Sequence, residues 1–293
     1  MTINIESQTN RRTNLKKTKA KFSLTAYLVG HREKFEDSPI FSKYYTRITC
    51  FPNCDPKKGG PPIVVISLIV IYLIIYGTYS RNFRYISDEF SQVSYSENKL
   101  VFLPDDDSRK QVWRYFTYQF DHANLSHLLT NLALLLILGL PIETVHSSFR
   151  ILVIYSIGVI TGAMFSYIID KSILLGCSGG VYSLVFLHLA NLVINFDSFS
   201  VKSMLITLAI NLPIIGLALF EIIQGSIRTL SNNGDQQKVS WAAHFGGGFT
   251  GLTFGMIVLK NVESKKWEKK LELVFLGAFI GVFVVMFICQ FVL

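Results

Sequence analysis

Charged residues, cysteines and metal-binding motifs are all scarce in this chain. Only 16% of its 293 residues are Asp, Glu, Lys or Arg, whereas 50% are hydrophobic and the mean hydropathy is +0.39. This composition excludes a disordered chain and fits a protein that crosses a membrane several times. Four cysteines imply no disulfide framework. Because the sequence has no His-Glu-x-x-His or equivalent zinc-peptidase motif, we expect neither a catalytic metal nor a cofactor.

Seven stretches are apolar and long enough to cross a bilayer, which takes about 20 residues as a helix. They predict an all-α polytopic membrane protein, with spans one to seven near 62–79, 123–142, 151–169, 176–196, 203–223, 240–259 and 272–293. Since the first apolar run starts only after residue 60, we expect no cleavable signal peptide. We predict three parts: a cytoplasmic segment 1–60, a six-span core 61–260, and a cytoplasmic linker with the seventh helix in 261–293.

Basic residues are concentrated before the first span. Residues 1–60 contain 12 Lys and Arg against 5 Asp and Glu, which is +7 of the net charge of +8. Such a segment could bind nucleic acid, but before a membrane span it more simply fixes orientation, so we expect no nucleic-acid partner. A cytoplasmic N-terminus places 19 Lys and Arg on the inner side and 9 on the outer side. This bias predicts a luminal or extracellular C-terminus. Cys50 and Cys54 suit palmitoylation better than a metal.

Polar residues with catalytic chemistry occur where three spans begin on the predicted outer side. His122 and His127 lie at the start of span two, Ser178 at the start of span four and His244 at the start of span six. Polar groups are costly in the membrane, and structural ones would have no reason to converge on one leaflet. We predict Ser178 as a nucleophile rather than a helix cap, and His244 as its general base rather than a buried structural histidine.

Other polar residues have competing interpretations. His127 and Asn131 lie four residues apart on one helical face, where they could join helices, but we favour donation to an oxyanion. For His122 we predict a structural hydrogen bond. His188 lies in the middle of span four, where we predict packing or a helix–helix bond. Asp121 precedes His122 at the end of a loop, and we predict a solvated charge there.

Span six has a flat face made of glycines four residues apart: Gly247, Gly251 and Gly255. Such a face lets another helix approach closely. His244 lies one turn before Gly247 on that face, so packing against span four would bring it to Ser178. We expect leucine at Gly251 to separate the two spans and alanine to do much less. At the end of span two, we expect Glu143 to tie a loop to a helix.

The chain from about 100 to 270 resembles the rhomboid family of intramembrane serine proteases. The motifs that carry this resemblance occur in the family's order: Trp113-Arg114, His122-x4-His127-x3-Asn131, Gly176-x-Ser178-Gly179, and Ala243-His244 with the glycines that follow. The run Leu140-Pro-Ile-Glu143 and a seventh span after the six-span core look most like the animal secretory-pathway branch, the rhomboid-1 type.

The resemblance implies a serine–histidine dyad without a carboxylate, with Ser178 as nucleophile and His244 as base. It also implies an oxyanion hole made by the Ser178 amide, His127 and Asn131, with the Tyr182 ring packed on His244. The supporting positions of this site are His122, Tyr182, Gly176, Gly179, Trp113 and Arg114.

The resemblance further implies a function in the lipid bilayer. The expected substrates are single-pass transmembrane proteins, with growth-factor precursors of the epidermal type as the suggested class, and the expected location is the Golgi or plasma membrane. A catalytically silent relative that binds membrane clients is the alternative, which the retained Ser178 and His244 disfavour. A solute transporter would favour inverted repeats, and the sequence contains no internal repeat.

Overall fold

The computed structural model describes residues 61–80, 98–105, 110–196, 201–231, 240–259 and 266–291. Within these ranges the chain is helical, apart from loops and one isolated antiparallel bridge between Phe102 and Leu174. The basic segment 1–60, with Cys50 and Cys54, lies outside the described residues, and so do 81–97 and 260–265.

Helices occur at all seven predicted spans, which confirms an all-α polytopic architecture. Their bounds are Ile63–Ile75 with a π turn Tyr76–Ser80, Leu125–His146, Ser148–Ile169, Ser178–Ile194, Val201–Leu230, Trp241–Thr253 with Gly255–Val258, and Lys266–Phe291. By length and composition, the helices of spans two, three, five and seven can cross a membrane, and those of spans one and four are apolar but shorter. A short helix, Arg114–Thr117, precedes span two.

Span five is the helix whose end differs most from the prediction. It continues to Leu230, whereas its apolar run ends near 223. Gln224 and Arg228 end the hydrophobic pattern, but both residue types favour a helix. Hydropathy alone therefore places the end of this span too early.

Span two contains a local change of helix geometry. Its α-helix Leu125–Leu134 passes into a π-helical segment Leu135–Gly139 and then into Leu140–His146. Pro141 explains the change, because proline has no N–H to donate and its ring crowds the carbonyl four residues earlier.

Glu143 joins span two to the start of span one. Its carboxylate accepts hydrogen bonds of 2.8 Å from the backbone amides of Val64 and Val65, and the side chain is fully buried. These amides belong to the first turn of a helix, where N–H groups lack intrahelical acceptors and a negative charge is favoured. The sequence predicts that Glu143 ties a loop to a helix; in the structure it ties the end of span two to the first turn of the span-one helix.

Spans three, four and six form the tightly packed centre. The Thr161 hydroxyl of span three lies 2.6 Å from that of Thr250 in span six and donates to the carbonyl of Gly246 at 3.2 Å. Between spans three and four, a Cβ on Gly158 would lie only 2.5 Å from the Cβ of Ser183. Small residues thus let three helix backbones approach one another closely.

The predicted packing of span six on span four is confirmed. A Cβ on Gly247 would overlap the carbonyl oxygen of Gly179, and a Cβ on Gly251 would overlap that of Ser183. Even the single methyl group of alanine at Gly251 would meet backbone that cannot rotate away, so we expect alanine to be damaging there, though less so than leucine.

Span seven packs on the outside of this centre. The ring centroids of Phe279 and Phe254 of span six lie 5.0 Å apart. Near the end of the helix, the Gln290 amide donates to the hydroxyl of Tyr115, in the short helix before span two. The seventh helix therefore contacts span six near its own middle and the short helix before span two near its own end.

Candidate active site

Ser178 and His244 meet where spans four and six begin. The Nε2 atom of His244 lies 2.9 Å from the hydroxyl oxygen of Ser178. His244 is 4% exposed, and its ring stacks on the ring of Tyr182 with centroids 3.9 Å apart and an angle of 11° between the planes. In this geometry a serine hydroxyl can pass its proton directly to an imidazole.

The start of span six is fixed by a cap that sequence analysis did not single out. The Ser240 hydroxyl accepts a 3.0 Å hydrogen bond from the amide of Ala243 and donates to Asp170 at 2.7 Å. Asp170, at the end of span three, also accepts from the amide of Ala242 at 3.2 Å. These bonds fix the first turn of the helix and therefore the position of His244. Serine just before an apolar helical run was the available signal.

Gly176 shapes the approach to Ser178. Its φ of +107° is a conformation that side chains disfavour, and a Cβ there would lie 2.6 Å from the ring of His127. Its amide donates to the carbonyl of Tyr118 at 3.1 Å. Glycine is therefore required both for the turn and for the close approach of His127.

Cys177 is held from two sides. Its amide donates to Nε2 of His122 at 3.3 Å, so the structural hydrogen bond predicted for His122 is present. Its carbonyl accepts from the Tyr155 hydroxyl at 3.5 Å. His122 precedes the helix of span two, which begins after the cap residue Asn124. The backbone of Cys177, which precedes Ser178, is thus hydrogen-bonded to the side chains of His122, before span two, and Tyr155, in span three.

The first turn of span four presents amides that could hold an anion. The first intrahelical bond near this end runs from the amide of Val181 to the carbonyl of Cys177 at 3.1 Å, and helix starts leave the earlier amides without helical acceptors. The Ser178 amide is one of these groups. The His127 ring lies beside Gly176, and the side-chain amide of Asn131 donates to the His127 carbonyl at 3.1 Å.

Span five contributes Glu221, which the sequence analysis missed. Its Oε1 lies 3.4 Å from Nδ1 of His244, and its Oε2 accepts a hydrogen bond from the Tyr182 hydroxyl. A carboxylate therefore lies beside the proposed base, where the resemblance implies none. The available signal was an acidic residue in an apolar span, which is costly in a membrane.

Asp121 is buried, so the prediction of a solvated charge is wrong. It is 7% exposed and accepts 2.7 Å and 2.9 Å hydrogen bonds from the side chain of Asn98 and the amide of His122. The segment around Asn98 folds back onto the start of span two and covers the carboxylate. Asp121 thereby fixes the backbone of His122, whose ring accepts the hydrogen bond from the Cys177 amide.

Arg114 organises the same loop segment. Its guanidinium is buried and donates to the backbone carbonyls of Asn98, at 2.6 Å, and of Val101. The neighbouring Trp113 is 51% exposed, with its indole N–H 3.3 Å from the carbonyl of Lys99. Trp113 and Arg114 thus stand at the start of the short helix before span two, and their contacts are with the segment 98–101.

Two more histidines join spans two and four away from Ser178. His188 Nε2 lies 2.9 Å from the carbonyl of Leu138, and His146 Nε2 lies 2.9 Å from the side-chain oxygen of Asn191. The helix–helix bond predicted for His188 is confirmed. Among the residues that the structure describes, no three His, Cys, Asp or Glu side chains are grouped to hold a metal.

Comparison with known proteins agrees with this architecture. Residues 109–261 match the family model of the rhomboid domain. The chain belongs to the rhomboid family. It is 32% identical over 236 residues to rhomboid-related protein 3 of Homo sapiens, covering 80% of this chain and 55% of the relative. It is 36% identical over 178 residues to rhomboid-related protein 1 of Caenorhabditis elegans, covering 60% and 48%.

The family also includes proteins whose names record a loss of activity. This rhomboid is 27% identical over 215 residues to inactive rhomboid-related protein 2 of Caenorhabditis elegans, covering 72% of this chain and 58% of the relative. The chain spans about half the length of the first two relatives. It is an integral, multi-pass membrane protein of this family.

Proposed function

We propose that this rhomboid is an intramembrane serine endopeptidase that cleaves single-pass transmembrane proteins in or near their transmembrane helix. The observation that carries this proposal is the 2.9 Å contact between the Ser178 hydroxyl and Nε2 of His244. A serine–imidazole pair of this kind is the minimal machinery for nucleophilic acyl transfer. Its location at the start of two packed membrane helices matches a substrate that is itself in the membrane.

The proposed reaction follows from the contact between the Ser178 hydroxyl and Nε2 of His244. The Ser178 oxygen attacks the scissile carbonyl carbon while its proton moves to Nε2 of His244. The imidazolium then protonates the leaving amine, and the peptide C–N bond breaks to give an acyl-enzyme. Water, deprotonated by His244, attacks this ester and releases the second product and Ser178.

The oxyanion of each tetrahedral intermediate needs donors near Ser178. The Ser178 amide at the helix start and the side chains of His127 and Asn131 are the proposed donors. Each well-placed donor is worth about 100- to 1000-fold in rate. Gly176, Gly179 and His122 act as supports that keep these groups close, and Tyr182 supports the ring of His244.

The substrate proposal rests on the chemistry of a helical peptide bond. A helix hides its carbonyl groups in internal hydrogen bonds, so it must unwind locally before Ser178 can attack. Small, helix-breaking residues near the outer end of the substrate helix are therefore expected to favour cleavage. Growth-factor precursors of the epidermal type, in the Golgi or plasma membrane, are the proposed substrate class.

Co-expression with a panel of single-pass membrane proteins tests this function. The wild-type protein is expected to release a fragment from at least one of them, whereas Ser178→Ala, at equal abundance, releases none. Immunoblotting of cells and medium measures both. The name of the inactive relative favours a second candidate, a client-binding protein without catalysis. Equal effects of wild type and Ser178→Ala on client trafficking, with no fragment, would establish that candidate.

We also propose that residues 1–60 are cytoplasmic and the C-terminus is luminal or extracellular. An odd number of crossings, seven as predicted, would put the termini on opposite sides, and the basic N-terminal segment favours the cytoplasm. In sealed vesicles with the cytoplasmic face outward, added protease is expected to digest an N-terminal tag and spare a C-terminal one. Digestion of both tags on active protein would contradict the seven-span topology.

A further inference from the structure

Glu221 is an acidic residue in the apolar part of span five. Its neighbours in the chain are Phe220 and Ile222, and the helix containing it is apolar enough to cross a membrane. Ionisable side chains are costly in such segments, and where they occur they generally have a function and a nearby partner. Glu221 has two such partners, both in the proposed active site.

The carboxylate of Glu221 contacts the stacked pair of Tyr182 and His244. One oxygen accepts the Tyr182 hydroxyl, and the other lies 3.4 Å from Nδ1 of His244. Nδ1 is on the opposite side of the imidazole from Nε2, which faces Ser178. Glu221 and Ser178 therefore contact opposite nitrogens of the imidazole ring.

Nδ1 of His244 needs a hydrogen-bond partner. The atom is buried, and among the described residues no group makes a regular hydrogen bond to it. The Tyr182 hydroxyl is already directed to Glu221, and Asp170 is bonded to Ser240. The carboxylate at 3.4 Å is therefore the acceptor that the structure offers, at a distance slightly longer than a usual N–H···O bond.

We propose that Glu221 is a positioning residue for His244. Its carboxylate accepts the Nδ1 proton, which keeps Nε2 unprotonated and directed to Ser178, and it stabilises the imidazolium formed after proton transfer. No bond is made or broken at Glu221, and the proton stays on Nδ1. The contact is expected to shorten when His244 becomes charged, as catalytic hydrogen bonds often do during reaction. This inference rests on the proposed proteolytic function.

The tautomer of His244 tests this inference directly. Nitrogen NMR of ring-labelled histidines, with the His244 signal assigned by its loss in His244→Ala, reports which ring nitrogen carries the proton. In the full-length wild-type protein we expect protonated Nδ1. In Glu221→Gln we expect a mixture of tautomers, because a neutral amide can accept or donate, and in Glu221→Asp we expect the wild-type form. Wild-type protein with the proton on Nε2, or a Glu221→Gln spectrum identical to wild type, would overturn the proposal.

Kinetics supply the second readout. Glu221→Gln is expected to lower kcat at least about 10-fold with little change in KM, because the loss affects the reacting imidazole and not substrate binding. Glu221→Asp should recover part of the loss. Gln224→Ala, three residues further along the same helix, is the control and should retain wild-type kcat. Unchanged kcat in folded Glu221→Gln would refute the positioning role.

The two proposals fail in different ways. Absence of cleavage by the wild-type protein would contradict the protease function, but the NMR experiment would still decide whether Glu221 sets the tautomer of His244. If Glu221→Gln does not fold, the wild-type tautomer and the Glu221→Asp spectrum decide the same question.

Discussion

Ser178→Ala and His244→Ala are each expected to abolish cleavage, and the double variant should be no worse than either single variant. The reason is that the 2.9 Å contact makes the two side chains one proton-transfer unit. Once either member is lost, removing the other takes away nothing more. Product formation by the purified variants in detergent or liposomes measures the three losses. Labelling of Ser178 by a serine-reactive fluorophosphonate should disappear in Ser178→Ala.

Two control substitutions separate the loss of the Ser178–His244 pair from a nonspecific loss of folding. Ser226→Ala, at another serine in a membrane helix, and His31→Ala, in the N-terminal segment, should both retain activity. Losses that add strictly in the double variant would mean that His244 acts elsewhere in the protein. Labelling that persists in Ser178→Ala would identify a different nucleophile.

The contacts of Ser178 and His244 could be anticipated because each arises from a local rule. Polar residues at the start of apolar spans are costly, so their shared placement indicated one site. Glycines every four residues on span six indicated a close helix contact. Any side chain at Gly247 would overlap the backbone of span four, which explains why this rule was sufficient.

Glu221 and Asp121 were not anticipated because their partners lie far away in the chain. Glu221 is 23 residues before His244, in a span without a recognisable motif, and hydropathy does not reveal which face of that span meets the site. From its sequence context Asp121 is an exposed acidic residue in a loop, but in the fold Asn98 covers it and donates a hydrogen bond to its carboxylate. In both cases tertiary contact, and not local sequence, decides the environment of a carboxylate.

Gly251→Leu is expected to destroy activity and to lower the melting temperature in detergent. A Cβ at this position already overlaps the carbonyl oxygen of Ser183 in span four, and a leucine adds three more carbons. Overpacking of this kind typically costs about 1–3 kcal/mol or more. Because His244 lies two turns before Gly251 on the same helix, displacement of span six would separate its imidazole from Ser178. Activity and thermal unfolding of the same purified sample measure both effects.

The size of the side chain and its location make the test specific. Gly251→Ala should also be damaging, though less than leucine, because its methyl group meets backbone in place of a movable side chain. Gly277→Leu in span seven is the matched control, since nothing lies within 4 Å of a Cβ there, and it should retain activity and melting temperature. If Gly251→Leu behaved like this control, the glycine face of span six would not be what brings His244 to Ser178, and the position of the base would have to depend on the Asp170–Ser240 cap alone.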